Sequence, residues 1–310
     1  MPDASQSRGE FSLIARFFTQ LDKGPDVILG NGDDAAILRL APGEELAVSV
    51  DSMLEGVHFP KCSPPAELAY RAVAAAASDL AAMGARPVAM TLALSLPSAD
   101  DDWLTDFRCG LTDAVADLSL PLVGGDLTRG PLTLSVQVMG AVPSGQALPR
   151  SGANPGDLLY VSGPLGDSAA GLAVIQGRVH PSEQVAALLR ARFWRPQPAL
   201  NLGVLLRGVA TAAVDVSDGL LADVGHIAQA SEVCVVVDSA LVPLSEALRA
   251  TVPPAQALDW ALRGGEDYQL CFTLPEGVEP PQGCIRIGCV ESGSGVRCDV
   301  EGGSDGYRHF

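Results

Sequence analysis

Lysine is nearly missing from this sequence. Only Lys23 and Lys61 occur among 310 residues, in KGPD and KCSP, whereas arginine occurs 18 times. That scarcity excludes a GxxxxGK[ST] phosphate loop and a VAIK-type kinase lysine, so any phosphate handled here must be met by arginine, backbone N–H groups or metal. Bases are scarce as a class: 20 Lys+Arg against 37 Asp+Glu leave a formal net charge of −17. Nonspecific nucleic-acid binding and attachment to an anionic membrane both need a basic surface, and a composition this poor in bases argues against either. No signal-peptide core and no run of about 18 apolar residues is present, so the expectation is a cytoplasmic protein that does not span a membrane. The seven cysteines are odd in number and form no CxxC pair; they read as buried thiols rather than a disulfide frame or a zinc site. No GxSxG elbow and no Ser/His/Asp or Cys/His order points to nucleophilic catalysis.

Three hundred residues favour two domains over one. Residues 10–21, EFSLIARFFTQL, carry apolar side chains at helical spacing. Two apolar runs joined by APGEE read as strand, turn and strand up to Met53. Pro64, Glu67 and a stop at Gly84 predict a helix from Pro64 to Ala85. The strand VAMTLALSL, an Asp-capped helix near 101–118 and the strands PLVGGD and LTLSVQVMGAV follow. The Gly-, Pro- and Ser-dense segment 143–157 is the best domain boundary. Beyond it, strands such as DLLYVSG and AAVDVSDG alternate with helical patterns, and the chain closes with ALDWALRGG, YQLCFTL, a short hairpin around CIRIGCV and a tail. The fold class expected is α/β (α+β) in two domains.

Most acids belong to a solvated surface, and Asp100–Asp102 is a helix start. A second set is different. Asp33 and Asp34 (GNGDDAA), Asp51 (LAVSVD), Asp126 (PLVGGD), Asp215 and Asp218 (AVDVSDG), and Glu266 and Asp267 (GGED) stand at strand ends and Gly/Ser turns, while Asp79 lies on an apolar helix stripe. So many converging acids would repel one another, and there are no lysines to offset them. Bound divalent cations are the economical answer, and oxygen donors suit Mg²⁺. GNGDDA is not a dinucleotide fingerprint, because AAILRLAPGEE is too short for a crossover helix. Arg129, Arg150 and the Gly-rich turn GPLGDSAAG are the candidates for direct phosphate contact.

Taken in order, GEFSLIARFF, GNGDDAAIL, VSVDSMLEGVHF, LAYRAVAAAASDLAAMGARP, LVGGDLTRGPL, RSGANPGD, GDSAAGL, AVDVSDGLLADVGHI and GGEDYQLCFT closely resemble the thiamine-monophosphate kinase family, from Gly9 to the terminal GYRHF. That family sits in the superfamily of aminoimidazole-ribonucleotide synthetase, selenophosphate synthetase and the hydrogenase-maturation dehydratase. The resemblance implies an N-terminal ATP- and Mg²⁺-binding domain, residues 1–145, that forms a homodimer through its strands. A C-terminal domain, residues 146–310, would follow, with ATP and several Mg²⁺ ions held between the two. It implies the reaction ATP + thiamine monophosphate → ADP + thiamine diphosphate, the last step of thiamine diphosphate biosynthesis, with no covalent or general-base residue. Carried over residue by residue, the metal ligands are Asp34, Ser49, the residue at Val50, Asp51, Asp79, Asp126, Asp215 and Asp218. ATP meets Gly125, Asp126, Arg150 and Ser217, and the thiamine phosphate meets His58, Glu266 and Tyr307. The sequence departs from the family at Val50, where a threonine is usual, at Ala76, where an asparagine is usual, and at Ala35, where a cysteine is usual. The superfamily's other activities fit less well: no Cys-Lys pair precedes the glycine-aspartate segment, and the chain ends in Phe310 rather than cysteine.

Overall fold

The computed structural model describes residues 9–300. The described residues form two compact units: the first holds 9–42, 48–76 and 87–141, and the second holds 43–47, 77–86 and 142–300.

The first unit starts with α1 (Glu10–Phe17), which buries Leu13 and Phe17 one turn apart. It stops short of residue 21 because the backbone turns left-handed at Gln20 (φ 69). The short strands β1 (Val27–Leu29) and β2 (Ile37–Leu38) form an antiparallel ribbon, and Val27 and Leu38 pack on Val88, Ala89, Val123 and Ala141. Next along the chain come β3 (Glu44–Leu54), α2 (Pro65–Ala82), β4 (Arg86–Leu96), α3 (Asp101–Leu118), β5 (Leu122–Arg129) and β6 (Thr133–Pro143), of which residues 44–47, 77–82, 86 and 142–143 are counted with the second unit. The sheet order is β3-β6-β4-β5, with β4 and β5 parallel. A parallel pair needs a crossover, which α3 supplies. The consecutive strands β5 and β6 are therefore not neighbours.

Strand alternation sorts this sheet into two faces. Met53, Met90, Leu92, Leu94, Leu96, Leu134, Val136 and Val138 are buried on one. The other carries Ser52 bonded to Ser135 (2.7 Å) and Thr91 bonded to Gln137 (3.3 Å). On that second face β3 exposes Leu46, Val48, Val50 and Leu54, each 40–62% accessible.

The second unit contains β7 (Leu158–Val161), α4 (Asp167–Ile175), α5 (Glu183–Trp194), α6 (Leu200–Leu206), β8 (Ala212–Asp215), α7 (Leu220–Ser231), β9 (Cys234–Val237), α8 (Glu246–Thr251), α9 (Pro254–Arg263), β10 (Leu270–Leu274), β11 (Ile285–Glu291) and β12 (Gly295–Cys298). The sheet order is β12-β9-β11-β7-β10-β8. Its strand pairs are antiparallel except β12 with β9, which is parallel. The expected hairpin at CIRIGCV is instead the single strand β11; β12 follows it but pairs with β9. Both faces are covered: Leu159, Val161, Val214 and Cys271 join one cluster, and Tyr160, Ala213, Phe272 and Leu274 join another. That double burial explains why β10, LCFTL, is apolar on both faces except at Thr273.

The sheets are mixed and the class is the α/β (α+β) one expected. The thiols are less uniformly buried than expected: Cys234 and Cys271 are buried, but Cys62 and Cys109 are exposed. No helix among the described residues is long and apolar enough to cross a membrane.

The start of α3 behaves as the sequence predicts, with Asp100 Oδ1 accepting the Trp103 N–H at 2.8 Å. Asp100→Ala should destabilise the chain by about 1 kcal/mol, measured by urea unfolding.

Candidate active site

In the first unit Asp34 is exposed in the GNGDD turn, between β1 and β2. The turn is tethered. The Asn31 backbone N–H donates to Asp22 Oδ2 (3.1 Å), and its side-chain amide donates to the carbonyls of Phe18 (3.2 Å) and Leu122 (2.9 Å). Leu122 opens β5, so the turn is held at the start of the strand that bears Gly125 and Asp126. Gly125 admits no side chain, since a Cβ there would stand 1.9 Å from the Leu92 carbonyl oxygen. His58 follows β3 in a turn, where its Nδ1 accepts the Leu54 N–H at 3.0 Å, leaving the proton of the neutral ring on Nε2. Arg129 ends β5 on the rim of a cleft of about 500 Å³ lined by Leu13, Leu96 and Leu127.

The sheet keeps some candidates apart. Ser49 and Asp51 share the half-buried face of β3, whereas the Val50 side chain, 62% exposed, points to the opposite face. Asp126 pairs with Ala93 and so shares a face with Thr91, Gln137, Ser135 and Ser52. Asp51 and Asp126 thus stand on opposite edges and opposite faces of one sheet, three strand spacings or about 14 Å apart.

The second unit brings its candidates together. Pairing of β8 with β10 runs on past both strands. Val216 N–H donates to Gln269 O (2.8 Å), Tyr268 N–H to Val216 O (2.9 Å) and Glu266 N–H to Ser217 O (2.7 Å). The segments AVDVSDG and GGEDY are thereby stitched side by side. Glu266 (φ 58) and Tyr268 (φ 51) adopt the left-handed conformation, which is costly for side chains of this size. Asp215 ends β8 and is only 4% exposed. Arg150 is exposed beside the same strand, where Ala213 N–H donates to Pro149 O (3.1 Å). Asp79 is half-buried in α2, and Ala76 is fully buried. Tyr307 lies outside the described residues.

Two carboxylates dominate the local electrostatics. Asp223, in the first turn of α7, accepts on Oδ2 the N–H groups of Ser217 (3.0 Å), Asp218 (3.1 Å) and Gly219 (3.1 Å). Burial, then the charges of Asp215 and Asp218, push it up to about 8, against the pull of the backbone N–H groups. Asp267 accepts the N–H of Gly166 (2.6 Å) and of Ser168 (3.2 Å). Burial pushes it up to about 7, the two N–H groups oppose this, and Asp167 and Glu266 add to it. The GPLGDS turn, expected to be open to an anion, is therefore already filled by the chain's own carboxylate. Asp167 beside it is also raised by burial, against the Ser245 hydroxyl (2.5 Å) and the charge of Arg192. The sequence reading passed over Asp22, Asn31 and Asp223. Asp223 alone left a signal, an acid one turn into a helix behind SDG, placed to reach back to its N-terminus.

Among the described residues no group of three or more His, Cys, Asp and Glu could hold a metal ion unaided. The donors still fit a hard cation. They are carboxylates and hydroxyls, and Asp215 and Asp218 lie close enough to act electrostatically on Asp223. Few protein ligands at one point also suits Mg²⁺, which keeps waters and bridges carboxylates to phosphates.

The model for the AIR synthase related protein N-terminal domain matches residues 32–142, and that for the C-terminal domain matches residues 154–277. This two-domain class is the one to which the fold and its acid-lined turns belong. Within it, a thiamine-monophosphate kinase of Escherichia coli K12 is 50% identical over 270 residues, 86% of this chain and 83% of that protein. One of Bacillus subtilis is 35% identical, covering 86% of this chain and 83% of that protein. The solved thiamine-monophosphate kinase of Stenotrophomonas maltophilia matches at TM-score 0.84 and 43% identity, covering 95% of this chain and 97% of that one. An AaThiL chain complexed with AMPPCP and TMP matches at TM-score 0.80 and 31% identity, covering 98% and 97%. The chain belongs to the thiamine-monophosphate kinase family.

Asp267 makes stability depend on pH. Its folded value, about 7, lies above the ordinary 3.8, so between those limits the folded chain keeps a proton that the unfolded chain has released. Stability therefore falls as pH rises from about 4 to about 7. Asp267→Asn abolishes that loss, while its missing acceptor costs the same at every pH. In urea titrations at pH 4.5 and pH 8, the stability of the variant relative to wild type should improve by up to a few kcal/mol at the higher pH.

Proposed function

We propose that this chain transfers the γ-phosphoryl group of ATP directly to the phosphate of thiamine monophosphate, giving ADP and thiamine diphosphate in the cytoplasm. The observation that carries this reading is the match, along nearly the full length of both chains, to AaThiL complexed with AMPPCP, an ATP analogue, and TMP.

An acceptor phosphate oxygen is already a nucleophile, so the reaction needs alignment and charge neutralisation rather than a strong base. That agrees with the sequence, in which no Ser/His/Asp or Cys/His order points to nucleophilic catalysis. The acceptor oxygen attacks the γ-phosphorus in line as the bond to the β-phosphate oxygen breaks. Asp34, Ser49, Asp51, Asp79, Asp126, Asp215 and Asp218 are the residues that would hold Mg²⁺, which when bound neutralises charge on the ATP phosphates. Residue 50 would serve through its backbone carbonyl, since its side chain shares the face of Leu46 and Val48. Arg150, Ser217 and the backbone at Gly125–Asp126 orient the nucleotide; His58, Glu266 and Tyr307 orient the thiamine phosphate. Residues 1–145 supply the N-terminal share of these groups and residues 146–310 the remainder.

The active form is proposed to be a homodimer. The exposed apolar row Leu46, Val48, Val50 and Leu54 on the edge strand β3 is unusual for a monomer. A second copy would cover it and could bring acids from opposite sheet edges closer than one sheet allows.

Incubation with ATP, Mg²⁺ and thiamine monophosphate should yield thiamine diphosphate; tight binding without product would overturn the reading. Asp51→Asn, Asp79→Asn and Asp126→Asn should each abolish Mg²⁺-dependent turnover with unchanged circular dichroism, and near-normal rates in all three would remove the proposed ligand set. Val48→Lys should shift the sedimenting species from twice the 32.0 kDa chain mass to the single chain.

A further inference from the structure

We propose that Asp223 is a positioning residue: one buried carboxylate oxygen shapes the turn that carries Ser217 and Asp218 and, through the Ser217 carbonyl, sets where Glu266 stands. The assigned roles of those three residues rest on the proposed function; the link between them rests on geometry.

Helix N-termini leave backbone N–H groups without intrahelical partners. At α7 the donors of Ser217, Asp218 and Gly219 converge on the single atom Oδ2 of Asp223, at 3.0, 3.1 and 3.1 Å. The Asp223 N–H in turn donates to Gly219 O at 3.0 Å, so turn and helix hold each other in both directions. Asp223 is 2% exposed, so its carboxylate, not bulk solvent, satisfies these three donors. The turn has little room to relax, because Gly219 has φ +118 and a Cβ there would stand 2.9 Å from the Arg263 backbone. The next link leaves the turn from Ser217, whose carbonyl accepts the Glu266 N–H at 2.7 Å. Removing the acceptor therefore disturbs two segments, one assigned to nucleotide and cation, the other to the thiamine phosphate. A third acid beside Asp215 and Asp218 is a costly choice for packing alone. Its three N–H bonds give it a purpose at that place.

The test compares Asp223→Ala with Asp223→Asn, whose amide oxygen can still accept the same three N–H groups. Hydrogen exchange of the peptide spanning residues 216–224 should accelerate about tenfold or more in D223A, without a matching change in β10. KM for both ATP and thiamine monophosphate should rise together, with kcat/KM falling on the order of a hundredfold. D223N should restore exchange and both KM values to within about threefold of wild type. Wild-type exchange and KM values in a folded D223A would overturn the proposal. So would a D223N as impaired as D223A, since charge rather than the acceptor would then matter. Should D223A fail to fold, D223N decides by itself, near-wild-type exchange and KM supporting the role and a tenfold change overturning it. The exchange measurement needs no substrate. A wild type that is inactive on thiamine monophosphate would thus refute the function while leaving the role of Asp223 separately measurable.

Discussion

The carboxylates of Asp223 and Asp267 fill the amide-lined N-terminal ends of α7 and α4, and the second unit's candidate site is arranged around them. Each end is a Gly-rich turn feeding a helix, the kind of place where a phosphate is ordinarily received. Here the anion is internal. The cost is two acids whose ionised forms are disfavoured by burial and by neighbouring acids. The gain is rigidity in three segments: GPLGDS is tied to GGEDY by Asp267, SDG is tied to α7 by Asp223, and GGEDY is stitched to AVDVSDG through the backbone. With both helix ends taken and lysine nearly absent, the groups left for phosphate are arginine, other backbone donors and a cation held by the remaining acids. The proposed chemistry draws on that set.

A different constraint governs the first unit. Its four-stranded sheet leaves β3 at one edge and β5 at the other, with a covered face and a face that exposes branched apolar side chains. Alternation along β3 gives Ser49 and Asp51 one environment and Val50 another. The hydroxyl lost at residue 50, relative to the family's threonine, is thus lost from the exposed apolar row of β3 and not from the side of Ser49 and Asp51. Valine there extends the row formed by Leu46 and Val48.

Much of the fold was legible in the sequence because its signals are local. Asp100 announces α3, proline and Glu67 announce α2, and the apolar runs of β4 and β10 announce strands. The candidate acids were legible too, since an aspartate at a strand end or beside glycine stands out against a polar surface. What escaped depended on partners far along the chain. Asn31 is significant because Leu122, 91 residues away, offers its carbonyl. GPLGDS read as an open cradle because nothing local reveals that Asp267, about 100 residues on, enters it. CIRIGCV read as a hairpin because strand propensity does not name a partner, and β9 drew β12 to its other side.

The residues alone determine the chemical vocabulary of this protein: oxygen donors in turns, arginine in place of lysine, no GxSxG elbow, and a family likeness running from end to end. Side-chain type and spacing are properties of the chain itself, so they can be read without coordinates. Which anion fills each helix end, which face of β3 each residue takes, and that Asp51 and Asp126 lie across a sheet from one another follow from strand order and long-range hydrogen bonds. Those depend on which segments win the competition to bury apolar surface and pair their backbone groups. That competition is settled by the whole fold and leaves no mark on any one segment.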